Sequence, residues 1–361
     1  MKFQFVFFVL GAVLATAETP KQAKTGGVVT SLPIPVVNVR TRSEVKLPPS
    51  ARAGGVTLPL HCSTDGTLYA EAIGGEESVV TAINPEDGTV TLFDARKVTD
   101  LTHPDVRNFF FSGNELYLLL LSTTDIHEQK VTITNPAGEP TGTRSVKIGT
   151  EHYYIARFKR DGSYEGLVEL ELPFDPMQFA VFENGDFVVS GFDRATRSFL
   201  TALVQSNGQL SRYLMKDERA KPADHAAGRT VSSLASPVIL IENGDTILGF
   251  GGGVTGNRVV RISTGGKVDK VTIQTPNKGD SVLSLMSTTR GWIVSFTKPT
   301  ERIDTVETFL VNPSTGKLIL QYKFENAAAG LGMCGGNDEF HILKYDQEQK
   351  VMVVEKAAPA Q

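Results

Sequence analysis

Cysteine, histidine and tryptophan are scarce in this chain, and no long apolar stretch interrupts it after its first residues. Two cysteines in 361 residues exclude a scaffold built from disulfides, although an oxidising compartment leaves one bridge open. Six histidines include no compact ligand pair such as HExxH, and no GxSxG elbow offers a serine nucleophile. Charge of one sign is missing too, because 36 basic residues against 40 acidic ones give a scattered net charge of −4. Such a chain has no electrostatic reason to bind nucleic acid or an anionic membrane. Helical periodicity is nearly absent. No Asn-x-Ser/Thr sequon with a permitted middle residue occurs, which agrees with a bacterial origin.

What is present begins with an export signal. Met1 and Lys2 precede the apolar stretch Phe3 to Ala15, and Ala15-Thr16-Ala17 offers the small residues that signal peptidase accepts, so cleavage is expected after Ala17. That stretch falls short of the roughly 20 residues needed to cross a bilayer. The mature chain is therefore expected to be secreted or periplasmic, with no membrane insertion after cleavage. Residues 18–42 read as a linker, 43–356 as the folded domain and 357–361 as a tail.

Two series of turn pairs divide that domain. The first comprises Asp65-Gly66, Gly113-Asn114, Asn184-Gly185, Asn243-Gly244, Arg290-Gly291 and Asn337-Asp338; the second comprises Asp87-Gly88, Asp161-Gly162, Asn207-Gly208, Gly265-Gly266 and Thr315-Gly316. Each pair joins two short apolar runs, as tight hairpins do, because Asn, Asp and Gly tolerate the positive φ that matches strand twist. Four strands per unit at a spacing of roughly 40 to 50 residues is the pattern of propeller blades. The expected fold is all-β: a six-bladed β-propeller with four-stranded antiparallel blades over approximately 57–95, 107–173, 177–215, 235–275, 281–324 and 329–356. The last unit has only three strands. Residues 43–49, whose SEVKLP resembles the outer strand LVELELP of the second blade, are expected to complete it and close the ring.

Cys62 and Cys334 sit three residues before the first turn of their units, on inner strands that closure would make neighbours. A disulfide there would stabilise by about 4 to 5 kcal/mol in the chain-entropy model. Two buried thiols packing as small apolar groups are the alternative.

The segment PMQFAVFENGDFVVSGFDRATRSFLTALVQSNGQL, Pro176 to Leu210, resembles an NHL-type propeller repeat, with a weaker version around Asn257-Arg258-Val259. In outline the chain is similar to the six-bladed, TolB-like superfamily. That resemblance implies an architecture and no particular chemistry.

Loop length points to a functional face. The tight turns fall on one face of the expected ring, and the long segments Arg96 to Arg107, Ser122 to Glu151 and Lys216 to Ala235 fall on the other. Binding candidates there are His103, His127, Arg194, Arg197, His225 and Arg302; arginines could pair with a carboxylate or an anionic sugar, whereas acidic neighbours such as Asp193 favour ordinary solvated loops. Candidates at the channel mouth are Asn108, Asp175, Gln178 and Asp280, where similar propeller hydrolases and lactonases hold calcium. The inner strands themselves read as apolar.

Two functions remain open. The first is a binding scaffold that recognises a peptide, protein or glycan on the long-loop face, with no cofactor and no predicted metal. The alternative is a metal-dependent lactonase, lyase or hydrolase at the channel mouth, which requires at least three ligating side chains to converge and admits calcium as its cofactor. A structural part of an envelope complex is a third, weaker reading.

Overall fold

The computed structural model describes residues 32–46, 55–63, 66–73, 79–102, 104–216, 234–241, 246–251, 257–277, 279–297, 306–325, 333–334, 339–346, 348–349 and 351–360. The expected signal peptide, His103, His225 and Arg302 lie outside them, as do the side chains of Cys62 and Cys334. The described residues form strands, with one short 3₁₀ turn at Ala95–Lys97. The first strand, β1, spans Val36–Val45.

Four sheets follow in chain order. The first holds β2 (Gly55–Cys62), β3 (Leu68–Ile73), β4 (Val79–Ile83) and β5 (Val90–Asp94). The second holds β6 (Asp105–Ser112), β7 (Glu115–Thr134), β8 (Pro140–Lys159) and β9 (Tyr164–Glu169). The third consists of β10 (Asp175–Val181), β11 (Phe187–Asp193), β12 (Ser198–Val204) and β13 (Leu210–Lys216). The fourth consists of β14 (Leu234–Ile241), β15 (Thr246–Gly251), β16 (Arg258–Ser263) and β17 (Val268–Thr272). Consecutive strands pair antiparallel throughout.

The remaining strands are β18 (Ser281–Thr288), β19 (Gly291–Thr297), β20 (Val306–Val311), β21 (Leu318–Glu325), β22 (Met333–Cys334), β23 (Phe340–Asp346) and β24 (Val351–Pro359). They form an eight-stranded sheet in the order β18-β19-β20-β21-β1-β24-β23-β22. β1 is antiparallel to β24 from Val37↔Pro359 to Val45↔Met352, and touches β21 only through a short parallel pairing at Val36↔Lys323 to Asn38↔Glu325.

Apolar clusters join each sheet to the next. Phe110, Leu119 and Ile155 of the second sheet pack with Phe179, Val188 and Leu203 of the third and Ile247 and Val260 of the fourth. Another cluster brings Val37 and Val45 of β1, Leu68 and Ile83 of the first sheet, Leu310 of β20 and Leu343 of β23 together. Repeated four-stranded antiparallel sheets packed face to face in this way make a β-propeller.

Turn chemistry follows the sequence. Both hairpin series place glycine at positive φ, for example Gly185 at 87° and Gly208 at 88°. The second series also contacts the neighbouring sheet. A Cβ on Gly208 would lie 1.8 Å from the Glu169 carbonyl oxygen, and one on Gly316 would lie 2.0 Å from that of Thr272. Only a glycine backbone approaches the preceding sheet so closely. Gly88 holds the corresponding place in the first sheet, and its nearest neighbour is Val45 of β1, 3.9 Å from an ideal Cβ.

Two expectations are corrected here, and a third at the other end of the chain, where β24 runs to Pro359 and takes in most of the stretch 357–361 read as a tail. The N-terminal strand starts at Val36, inside the stretch read as linker. It was hard to see because an outer strand buries only part of one side, here Val37 and Val45. The second correction concerns Ser122 to Glu151, which is no loop. β7 and β8 continue past the sheet as a paired ribbon from Ser122↔His152 to Thr134↔Pro140. Its turn is fixed by Asn135, whose Oδ1 accepts from Ala137 N and Glu139 N at 3.0 and 2.9 Å. Threonine, valine and isoleucine alternate along it, a β-forming composition that carries too little apolar content to stand out.

Candidate functional site

The ribbon leaves the second sheet beside the start of the third, and the long-segment face opens there into a cleft of about 680 Å³. Its wall comes from three places: Glu151, His152 and Tyr153 at the ribbon's root on β8; Glu169 to Asp175, where β9 crosses to β10; and Asp193 to Ala195, where β11 turns toward β12.

Carboxylates dominate this lining. Glu151, Glu169, Glu171, Asp175 and Asp193 face a single arginine, Arg194, and a single histidine, His152. Arg194 donates from Nη2 to Glu151 at 2.5 Å and from Nε to Asp175. These two bonds hold its guanidinium protonated even more firmly than usual. His152 Nδ1 lies 3.1 Å from Glu169 Oε1, and its Nε2 lies 3.3 Å from Thr124 Oγ1 on the ribbon. Burial raises the Tyr153 hydroxyl above its ordinary pKa, and the Asp175 and Glu151 carboxylates add to the effect. Asp193 serves its own turn, accepting from Ala195 N at 2.8 Å and Thr196 N at 3.2 Å.

Five carboxylates against one arginine leave this lining with an excess of negative charge, which favours an incoming cation. Arg194 already occupies two of those carboxylates from within the chain. It is 65% exposed, so the ion pairs are open to water and exchangeable at modest cost.

The channel-mouth candidates are placed otherwise. Asn108 and Gln178 bond to each other across the gap between β6 and β10, at 2.6 Å. Asp175 belongs to the cleft. Asp280, buried, accepts from Asn277 N and Nδ2 at 3.0 Å each and so closes its own turn. Among the described residues no set of three or more His, Cys, Asp or Glu is placed to hold a metal ion. The apolar inner positions Phe110, Val181 and Met286 are buried.

On the long-segment face, Arg194 lies in the cleft. His127 stands out on the ribbon, its Nδ1 3.0 Å from the Asp125 carbonyl oxygen. Arg197 is exposed at φ 53° in the turn after β11. Cys62 and Cys334 end β2 and β22, strands that run beside one another.

No protein-family model matches the chain, and no curated protein matches it. Several solved structures align with it at a distance. A candidate exported protein from Bacteroides fragilis aligns at 11% identity over 91% of this chain and 100% of its own, with a TM-score of 0.48. Virginiamycin B lyase from Staphylococcus aureus aligns at 15% identity over 89% of this chain and 99% of its own, with a TM-score of 0.43. A nidogen/laminin complex gives 11% identity over 75% of this chain and 81% of that one, also with a TM-score of 0.43. Likenesses this remote say nothing about what the cleft binds.

Sequence reasoning missed Glu151, Tyr153, Glu169 and Glu171. One signal was present, in the alternating acids of ELELP at residues 169–173, directly before the crossing to the next inner strand.

Proposed function

We propose that this chain is an exported, six-bladed β-propeller that acts as a binding scaffold, taking a cationic segment of a peptide or protein into the acidic cleft at the root of the ribbon. The cleft carries this reading, with five carboxylates against Arg194 and His152 in its lining. A lysine or arginine side chain entering it would compete with Arg194 for Glu151 and Asp175 and find Glu171 exposed beside them. Exposed ion pairs contribute only about 0 to 1 kcal/mol each. A short cationic segment is therefore expected to bind no more tightly than about 0.1 mM and to weaken with salt. The reading calls for no cofactor.

Six blades and ring closure by β1 belong to the same proposal. In support, Gly88 lies in van der Waals reach of Val45 on β1, and one apolar cluster joins β1 to the first sheet, β20 and β23. Secretion, or residence in the periplasm, rests on the N-terminal sequence.

Calorimetric titration of the mature protein with a short lysine- and arginine-rich peptide, beside its glutamate counterpart, tests the binding reading. Saturable binding of the basic peptide alone, weakened at high salt, is expected. Equal binding of both peptides, or of neither, would reject it.

A further inference from the structure

We infer that two copies of the chain associate edge to edge through the ribbon segment of β7, across a twofold axis at Gln129. Between Thr123 and Glu151 the ribbon projects with both strands exposed, and among the described residues these segments pair only with each other. An isolated two-stranded ribbon is marginal in water, and three or more strands are needed for independent stability. Open edges of this length are also templates for another strand. The ribbon therefore has both the need and the means to gain a partner.

Charge selects the edge and the occupant. The β8 segment carries Arg144 and Lys147 and no acid between Thr141 and Ile148, so that edge offers a second copy no opposite charge to pair with. The β7 segment carries Glu128 and Lys130, two residues apart and on the same side of the strand. Antiparallel pairing about Gln129 sets Glu128 opposite Lys130 of the second copy, and Lys130 opposite its Glu128. Glu128 already lies opposite Lys147 within the ribbon and accepts from Ser145 Oγ at 3.1 Å. Each four-strand row would therefore alternate Lys147, Glu128, Lys130, Ser145, with the last two from the second copy. On the other side, Val131, 40% exposed, gains His127 of the second copy against its open flank. A bulge ends the pairing at one side, where Asp125 takes φ 50° and the register shifts between Thr124 and His127.

Sedimentation equilibrium of the full mature chain, over about 1 to 100 µM, tests this inference with two variants. Lys130→Glu makes the edge acidic and Glu128→Lys makes it basic, and both residues are exposed, so the thermal unfolding midpoint of the propeller should hold. The wild type is expected to dimerise. Each variant alone should dimerise about tenfold or more weakly, since two like-charge pairs replace two opposite ones. An equimolar mixture of the two variants should recover the association. A monomeric wild type over that range, a variant that dimerises like the wild type, or a mixture that stays monomeric would each overturn it. Peptide binding in the cleft is scored separately, so failure of one proposal leaves the other standing.

Discussion

Asn108 on β6 donates from Nδ2 to Gln178 Oε1 on β10 at 2.6 Å, tying two sheets whose strands share no backbone ladder. Asn108 is buried, its Nδ2 also reaches the Met177 carbonyl at 3.3 Å, and its Oδ1 accepts from Phe109 N at 2.7 Å. Two residues with the chemistry of a ligand set are thus spent on holding neighbouring sheets in register.

Asn108→Ala should accordingly destabilise the protein by about 1 to 3 kcal/mol, because it leaves buried partners unsatisfied. The urea midpoint measures this. A change within a few tenths of a kcal/mol would mean that the pair is not structural.

Sheet interiors supply a prediction of opposite signs. Ser295 and Thr308, opposite one another on β19 and β20, bond through their hydroxyls at 3.0 Å. In the first sheet Ala70 stands opposite Thr81, and the buried Thr81 Oγ1 has no partner among the described residues. Thr81→Val should be neutral or stabilising by up to about 1 kcal/mol, whereas Thr308→Val should cost about 1 to 3 kcal/mol by stranding the Ser295 hydroxyl. Equal losses in the two variants would contradict the assignment.

His341 on β23 sets an acid limit. Burial lowers its pKa below the ordinary 6.5, against the partial opposition of Glu339 and Glu86 and with help from Lys356. The folded state therefore holds the imidazole neutral where the unfolded chain would protonate it. Below about pH 6.5 the unfolded state binds more protons, so stability is lost on acidification and regained as pH rises. His341→Gln should flatten that acid limb in urea midpoints measured between about pH 5 and pH 8. An unchanged slope would show that other groups set it.

The repeat was legible because its punctuation is local. A turn that needs positive φ asks for Gly185 or Gly208 whatever the rest of the chain does, and such demands recur in order along the sequence. β1 was only half legible, since an outer strand that buries little besides Val37 and Val45 has a weak alternation. The ribbon was misread as a loop because Asn135 to Glu139 carries an ordinary hairpin signal between strands too polar to count as strands. The cleft was legible only in fragments, as the separate candidates Asp175 and Arg194 and the acids of ELELP. Glu151, Glu169, Asp175 and Arg194 meet only through the packing of two sheets, and no local pattern records that approach.

The most direct test of the central claim is a comparison of basic-peptide affinity in the wild type, Arg194→Gln and Asp175→Asn. If the cleft is a cation site that Arg194 partly fills, Arg194→Gln should bind the peptide several-fold more tightly, by up to about 1 kcal/mol, and Asp175→Asn more weakly by a similar amount. Identical affinities in all three proteins, or loss of binding in Arg194→Gln, would contradict the account.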